Sequence, residues 1–369
     1  MLVRIDRLHL RDFRNIAELE LQPGEHVNII HGDNAQGKTN LIEAVWLLTG
    51  AKSFRGGRDA DLVRFGAACA SVEAAFFRDG REQTADLAFG AGVKKRARLN
   101  EIPLPSGAGL AGVFCAVVFS PAHLSLAQDG PSERRRFADG CICQLSPRYI
   151  ALLSDYSRTL LQRNTLLKDI AYAPSLLDTL DVWDERLAEL GALICRNRAE
   201  YVARLAALAG EIYAGISAGR ERFAARYAPG GAPEGLARGE YRAWLLEALR
   251  RARADDLRAG ATSVGPHRDD IELSVDGLSL RGFGSQGQQR SAVLALKLAE
   301  SRLAEQMLGE RPVILLDDVM SELDGGRRDY LLNHLDGSQV FITCCDRQSF
   351  DSLQGGREFE LKAGALCPA

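Results

Sequence analysis

Two short stretches at opposite ends of the chain constrain its fold more than anything between them. Residues 32–39 read Gly32-Asp33-Asn34-Ala35-Gln36-Gly37-Lys38-Thr39, and the apolar run Val313-Ile314-Leu315-Leu316 ends in Asp317-Asp318. The first fits G-x-x-x-x-G-K-[ST], a loop whose glycines let successive backbone N–H groups point at phosphate oxygens. The second is a strand ending in acids, which such a site still needs. One phosphate site must therefore be closed by both ends of a 369-residue chain.

The context of the loop fits. His26-Val27-Asn28-Ile29-Ile30 reads as a short strand entering it, and Leu41, Ile42, Val45, Trp46 and Leu48 then recur at helical spacing. Lys38 is expected to reach the β- and γ-phosphates, and Thr39 to give its hydroxyl to Mg²⁺. Asp317 is expected to hold the metal through water, and Asp318 to orient the attacking water. Asp318 is one methylene shorter than a glutamate, so slow hydrolysis is expected. Ser285-Gln286-Gly287-Gln288 opens a helix expected over about 288–307, where a hydroxyl, a bare glycine backbone and a helix N-terminus make a second anion cradle. One γ-phosphate does not need two cradles from one subunit. The economical reading gives the second to the nucleotide of another copy, and the alternative is a glycine-containing N-cap with no ligand.

The length predicts two domains, with room for a third small lobe. Residues 16–21 alternate at period two, and Pro23-Gly24 makes a turn. Residues 71–119 read as mostly extended, with turns at Asp79-Gly80, Gly90-Ala91-Gly92 and Asn100-Glu101, and with 113–119 as one buried strand. Composition then turns helical. Leu153, Tyr156, Leu160 and Leu167 mark one helix, Leu180, Trp183, Leu187, Leu190 and Ile194 a second, and Pro174 breaks between them, so an antiparallel pair is expected. Asp276-Gly277 marks a hairpin between 271–275 and 278–280. A helix near 328–335 and a strand at 339–343 close the chain.

The net charge of −3 lacks the basic balance of a strong DNA coater, so any nucleic-acid binding must come from local patches or a nucleotide state. Lys94-Lys95-Arg96 with Arg98, Arg55 with Arg58, and Arg134-Arg135-Arg136 are the patches on offer, with a solvated face as the plain alternative for each. His267 and Arg268 fit either a nucleotide-linked core or a structural turn. The eight cysteines form no C-x-x-C pair and no zinc spacing, which reads as free thiols in a reducing compartment. The N-terminus is charged too early for a secretory signal and no apolar run is long enough to span a bilayer, so a cytoplasmic location is expected.

The Gly-Lys-Thr loop, the Ser-Gln-Gly-Gln-Gln helix start and the Leu-Leu-Asp-Asp strand followed by Ser321-Glu322-Leu323-Asp324 look like an ABC-type ATPase head. Within that class the chain resembles the RecF family of bacterial recombination-repair proteins. The residues that carry the likeness include 10–15 (Leu-Arg-Asp-Phe-Arg-Asn), 37–44, Lys52-Ser53-Phe54-Arg55, Phe119-Ser120-Pro121, the run from Gly130-Pro131 to Arg134-Arg135, Gly265-Pro266-His267-Arg268-Asp269-Asp270, and 296–300. The resemblance implies an α/β fold, a P-loop NTPase of ABC/SMC head type with an inserted mainly helical second lobe. The expected division is 1–120, the N-terminal part of the head; 121–262, the helical lobe; and 263–369, the rest of the head with signature and acidic strand.

The resemblance also implies ATP-dependent homodimerisation, DNA binding coupled to a weak ATPase, and work at gapped DNA with RecO and RecR, loading recombinase and supporting replication restart and the SOS response. Carried onto this chain, Gly32 to Asn40 bind the nucleotide, Lys38 with Asp317 and Asp318 serve catalysis, Thr39 and Asp317 hold Mg²⁺, Ser285 to Gln288 contact the partner's γ-phosphate, and Ser321 to Asp324 line the seam. Two departures stand out. Ala35 occupies a place where many such loops have glycine, and no histidine follows the strand ending at Thr343, which leaves the usual γ-phosphate sensor unassigned. A transporter ATPase subunit is disfavoured by the long stretch between Lys38 and Ser285. An SMC-type tether is disfavoured because a hairpin of two 40-residue helices reaches only ~60 Å. A scaffold that binds ATP without hydrolysing it would be separated from an enzyme by measuring turnover.

Overall fold

The computed structural model describes residues 2–90, 93–233, 235–237, 239–345 and 356–367, with the side chains of residues 93 and 94 outside the description. Strands β1 (Arg4–Phe13) and β2 (Ile16–Leu21) form a hairpin, and β3 (Val27–His31) leads through the glycine loop into helix α1 (Lys38–Leu47). β4 (Cys69–Arg78), β5 (Arg81–Gly90), β6 (Val93–Leu99) and β7 (Ile102–Leu104) extend the hairpin into a six-stranded antiparallel sheet in the order β2-β1-β4-β5-β6-β7. Of the turn expected at 90–92, Gly90 ends β5 and residues 91 and 92 lie outside the description.

β8 (Ala116–Phe119) then enters a second sheet. It is completed by β12 (Val313–Asp317), β13 (Val340–Cys344), β14 (Arg357–Lys362) and β15 (Ala365–Leu366), in the order β15-β14-β3-β13-β12-β8. Its strands run parallel except at the β15 edge. Such a sheet is covered on both faces at its centre, which is why β8, β12 and β13 read as near-continuous apolar runs. Ile314, Leu316, Val117, Val340 and Ile342 face one core, and Val313, Leu315, Val118 and Phe341 the other. The second of these cores also holds α1 and the antiparallel sheet.

The first core is helical. α2 (Pro121–Leu124), α3 (Pro131–Leu145), α4 (Pro147–Asp169), α5 (Leu180–Ile216) and α6 (Tyr241–Ala259) precede α7 (Leu280–Phe283), α8 (Gln286–Leu308) and α9 (Gly325–Asn333). α4 and α5 pack together as the two apolar stripes require, and α5 also lies along α8. A third sheet crosses between the middle and the end of the chain: β9 (Phe223–Ala228) pairs antiparallel with β10 (Asp270–Val275), and β11 (Leu278–Ser279) closes the hairpin. Asp276 (φ 50°) and Gly277 (φ 80°) take the left-handed conformations that a two-residue turn needs. Arg163, fully buried, bonds Asp184 and Asp256 at 2.7 Å each and Thr262 Oγ1 at 2.8 Å, tying α4 to α5 and α6.

Several expected boundaries move. The strand expected over 113–119 begins at Ala116. Arg78 takes the carbonyls of Gly112 and Val113, and Val113 N bonds back to Leu110 O, so this stretch is a turn. The second hairpin strand stops at Ser279, where α7 begins. Capping at Ser285 and Asp324 starts α8 at Gln286 and α9 at Gly325, earlier than periodicity alone indicates.

Candidate nucleotide site

The glycine loop sits at the carboxyl ends of the parallel strands, where ligands of open α/β sheets bind. Gly32 (φ 149°) lies against β14, and a Cβ there would collide with Leu361 O. At Gly37 (φ 113°) a Cβ would come 2.8 Å from Asn15 Oδ1. Ala35 adopts φ 65°, which costs a non-glycine residue about 1 kcal/mol and explains why glycine is usual there. The turn between β14 and β15 braces the loop from behind: Gly364 N donates to Gln36 O at 2.9 Å, and Ala363 N to Gln36 Oε1.

Lys38, 7% exposed, donates from Nζ to Gly32 O at 2.6 Å and Asp33 O at 2.8 Å. Thr39 Oγ1 donates to Asp317 Oδ1 at 2.8 Å, so the two distant stretches do meet. Thr343, on the strand between β3 and β12, donates to the same oxygen at 3.1 Å and accepts from Asp318 N at 2.9 Å. Burial raises the pKa of Asp317, against the hydrogen bonds from Thr39 and Thr343 that pull it down. Burial likewise raises Asp318, with Lys38 opposing and Glu322 assisting. Asp318 sits at φ 51°, and among the described residues its carboxylate has no hydrogen-bond partner.

A hydroxyl and a carboxylate side by side fit Mg²⁺, a hard cation that keeps waters and phosphate oxygens around one or two protein ligands. The helix start, Lys38 and the loop amides fit a polyphosphate.

Around this centre lies a layer the sequence reading did not assemble. Glu43, fully buried on α1, accepts from Arg14 Nε at 3.0 Å, Arg14 Nη2 at 2.8 Å and Ser53 Oγ. Asn40 accepts from Arg55 Nη1 at 2.8 Å and donates to Asn15 Oδ1 at 2.7 Å. Cys345, exposed, follows β13 where the expected sensor was missing. Its Sγ lies 2.9 Å from Asn34 Oδ1 and 3.6 Å from Lys38 Nζ. The missing histidine marked this position, but nothing marked the thiol.

The second cradle stands apart. Ser285 caps α8, with Ser285 Oγ accepting from Gln288 N at 3.2 Å and Gln288 Oε1 accepting from Ser285 N at 2.9 Å. Ser285 and Gln286 are exposed, and Gly287 O accepts from Arg327 Nη2 at 2.9 Å. Among the described residues no hydrogen bond or ion pair joins residues 285–288 to residues 32–40. Ser321 is exposed and its hydroxyl donates to Asp318 O at 2.8 Å, while Asp324 caps α9.

The basic patches fare unevenly. Arg134 is buried in a bidentate pair with Asp270 at 2.8 and 2.9 Å and offers no free phosphate contact, while half-buried Arg135 gives one nitrogen, Nη1, to Asp269 O at 2.5 Å. Arg136 is exposed and paired with Glu133 at 2.8 Å. Lys95 is half-buried over the Phe89 ring, which leaves Arg96 and Arg98 as the exposed charges of β6, and the Lys94 side chain lies outside the description. Arg58 is exposed near Asp61. His267 belongs to a structural turn: Nδ1 meets Tyr156 Oη at 2.7 Å and Nε2 meets Thr262 O at 3.0 Å. Neighbouring Pro266 O accepts from Arg198, and Asp269 accepts from Gly230 N, Tyr227 Oη and Cys195 Sγ.

The family described as RecF/RecN/SMC N terminal domain matches residues 4–357. The DNA replication and repair protein RecF of Agathobacter rectalis is 42% identical over 346 residues, covering 94% of this chain and 93% of the relative. The RecF of Acetivibrio thermocellus is 41% identical over 362 residues, 98% of each. Among solved structures, the recombination mediator protein RecF-ATP in the RecFOR pathway superposes with a TM-score of 0.93 at 35% identity, over 99% of this chain and 97% of that one. The Smc head of Pyrococcus furiosus, bound to the C-terminal domain of ScpA, gives 0.55 at 16% identity over 99% of this chain and 95% of that one, a likeness of fold alone.

Proposed function

The chain belongs to the RecF family of DNA replication and repair proteins, and on that footing we propose that it is an ATP-dependent DNA-binding switch of recombinational repair and replication restart. One observation carries the reading: Thr39 and Asp317, from opposite ends of the chain, meet at 2.8 Å beside Lys38. In the proposed cycle the loop amides and Lys38 bind the β- and γ-phosphates of ATP. Thr39 and Asp317 hold Mg²⁺, which would neutralise charge developing on the phosphates. Asp318 orients the attacking water and takes its proton, and its half-buried carboxylate, without a hydrogen-bond partner among the described residues, supports that role.

A trans role for Ser285 and Gly287 is supported by the bonding of residues 287 and 288 to Arg327 and Glu221 rather than to the loop at 32–40. Two copies join head to tail across ATP, each closing the other's site, with Ser321 to Asp324 along the seam. Residues 1–120 and 263–369 form the head and 121–262 the helical lobe. DNA binds the dimer and stimulates slow hydrolysis that releases it. RecR and RecO meet the DNA-bound form at gaps, where recombinase loads and SOS induction follows. We place this work in the cytoplasm; no helix among the described residues is long and apolar enough to cross a membrane.

Sizing chromatography and turnover with gapped duplex test the reading together. The wild type should dimerise with ATP and hydrolyse it faster with DNA. Ser285→Arg should bind ATP as a monomer and fail to dimerise. Dimerisation by Ser285→Arg would refute the trans cradle, and absence of DNA-stimulated turnover in the wild type would refute the enzyme.

A further inference from the structure

The first turn of α8 is held from two sides. On one, Arg327 of α9 donates to Gly287 O and, at 2.9 Å, to Ser291 Oγ. On the other, the Gln288 side chain does two jobs. Its Oε1 caps Ser285 N, and its Nε2 donates to Glu221 Oε1 at 2.9 Å. The second oxygen of Glu221 accepts from Tyr213 Oη at 2.6 Å. Tyr213 lies in the last turns of α5, fully buried and stacked on Phe223 with centroids 5.5 Å apart. A continuous chain of hydrogen bonds therefore links the end of a 37-residue helix to the Ser285 backbone.

The residue types are matched to their places. Gln288 and Tyr213 donate to the two different oxygens of residue 221, so both terminal atoms there must accept, which a carboxylate allows, whereas an amide sets a donor at one of them. The hydrogen bonds from Tyr213 and then Gln288 keep Glu221 below the usual carboxylate range, so it stays ionised at neutral pH. Residue 221 also stands just before β9, which pairs with the β10 hairpin that leads through α7 into Ser285.

We infer that Glu221 is a positioning residue for the Ser285 cradle, coupling the orientation of the long arm helix α5 to ATP-driven pairing of two copies. A shift of α5 moves Tyr213, Tyr213 carries Glu221, and Glu221 moves the amide that caps the cradle. The inference rests on the reading of Ser285 as serving the partner's nucleotide.

Breaking the chain outside residues 285–288 tests it. Glu221→Ala removes the acceptor shared by Gln288 and Tyr213, and Tyr213→Phe removes only the hydroxyl while keeping the ring on Phe223. Self-association is followed by sedimentation velocity with ATP, and binding to the isolated protomer by titration with a fluorescent ATP analogue at low protein concentration. Each variant should weaken association about tenfold, the worth of one charge-assisted hydrogen bond. Both should bind the analogue as the wild type does.

Wild-type association by Glu221→Ala or by Tyr213→Phe overturns the inference while leaving the trans cradle standing. A wild type that does not associate with ATP removes the cradle reading and the inference together.

Discussion

Replacing Glu43 by alanine tests how the helix that carries Lys38 and Thr39 is anchored. Its carboxylate is fully buried and faces Arg14, whose side chain is 20% exposed. Two hydrogen bonds from Arg14 converge on it, Ser53 Oγ adds a third, and Arg55 Nη1 lies 3.7 Å away. In Glu43→Ala, Arg14 keeps only its bond to Asp61 O, and a guanidinium is left mostly buried without its counter-charge. Breaking a buried pair from one side costs 3–5 kcal/mol, and the partial exposure of Arg14 places this case near the lower end, at about 3 kcal/mol.

Urea unfolding followed by Trp46 fluorescence in a Trp183→Phe, Trp244→Phe background reads it directly, since Trp46 is on the same helix and donates to Lys52 O at 2.8 Å. With a slope of about 3 kcal/mol per molar, the midpoint should fall by about 1 M. ATP affinity should fall too, because segment 53–55 loses the anchor that sets Arg55 beside Asn40. The pair Arg14→Met with Glu43→Leu should cost less than Glu43→Ala alone, since no charge remains buried. A midpoint shift under ~0.3 M for Glu43→Ala would refute the reasoning.

Other expectations follow from the same geometry. Asp318→Asn should retain ATP binding and lose turnover by about a hundredfold or more. Asp318 works only when ionised and burial raises its pKa, so wild-type turnover should fall with decreasing pH through a limb above the ~4 of an ordinary aspartate. A limb at or below that value would contradict the assignment. Cys345, beside Asn34 and Lys38, should be alkylated by iodoacetamide more slowly in saturating ATP, read by peptide mass mapping. Equal rates with and without ATP would place the thiol outside the site. Arg134→Ala should cost about 3 kcal/mol of stability and leave the slope of DNA affinity against salt unchanged. A shallower slope would return Arg134 to the DNA surface.

The parts legible in the sequence are those imposed by local backbone demands. Gly32 and Gly37 must turn where a Cβ cannot fit, and 313–316 must be apolar on both sides because both faces of its sheet are covered. The stripes of α4 and α5 and the Asp276-Gly277 turn were readable for the same reason. What stayed hidden was the pairing of charges distant in sequence. Arg134 looks the same on paper whether it faces water or Asp270, 136 positions away. Glu43 reads as one polar residue on an amphipathic helix, and nothing local announces that Arg14 and Ser53 enclose it. The strand expected from Val113 was lost to Arg78, whose guanidinium takes the carbonyls a ladder would have used. Cys345 shows the limit at the site itself, since a free thiol has no spacing signature.

The central claim is that Lys38 of one copy and Ser285 of another close on the same ATP. Mixing two inactive variants, Lys38→Ala and Ser285→Arg, tests it most directly. In a head-to-tail heterodimer, the intact loop of the Ser285→Arg subunit meets the intact Ser285 of the Lys38→Ala subunit. DNA-stimulated ATP hydrolysis should therefore appear in the mixture when neither variant shows it alone. A mixture as inactive as its components would mean that both cradles serve the same subunit's nucleotide, contradicting the account.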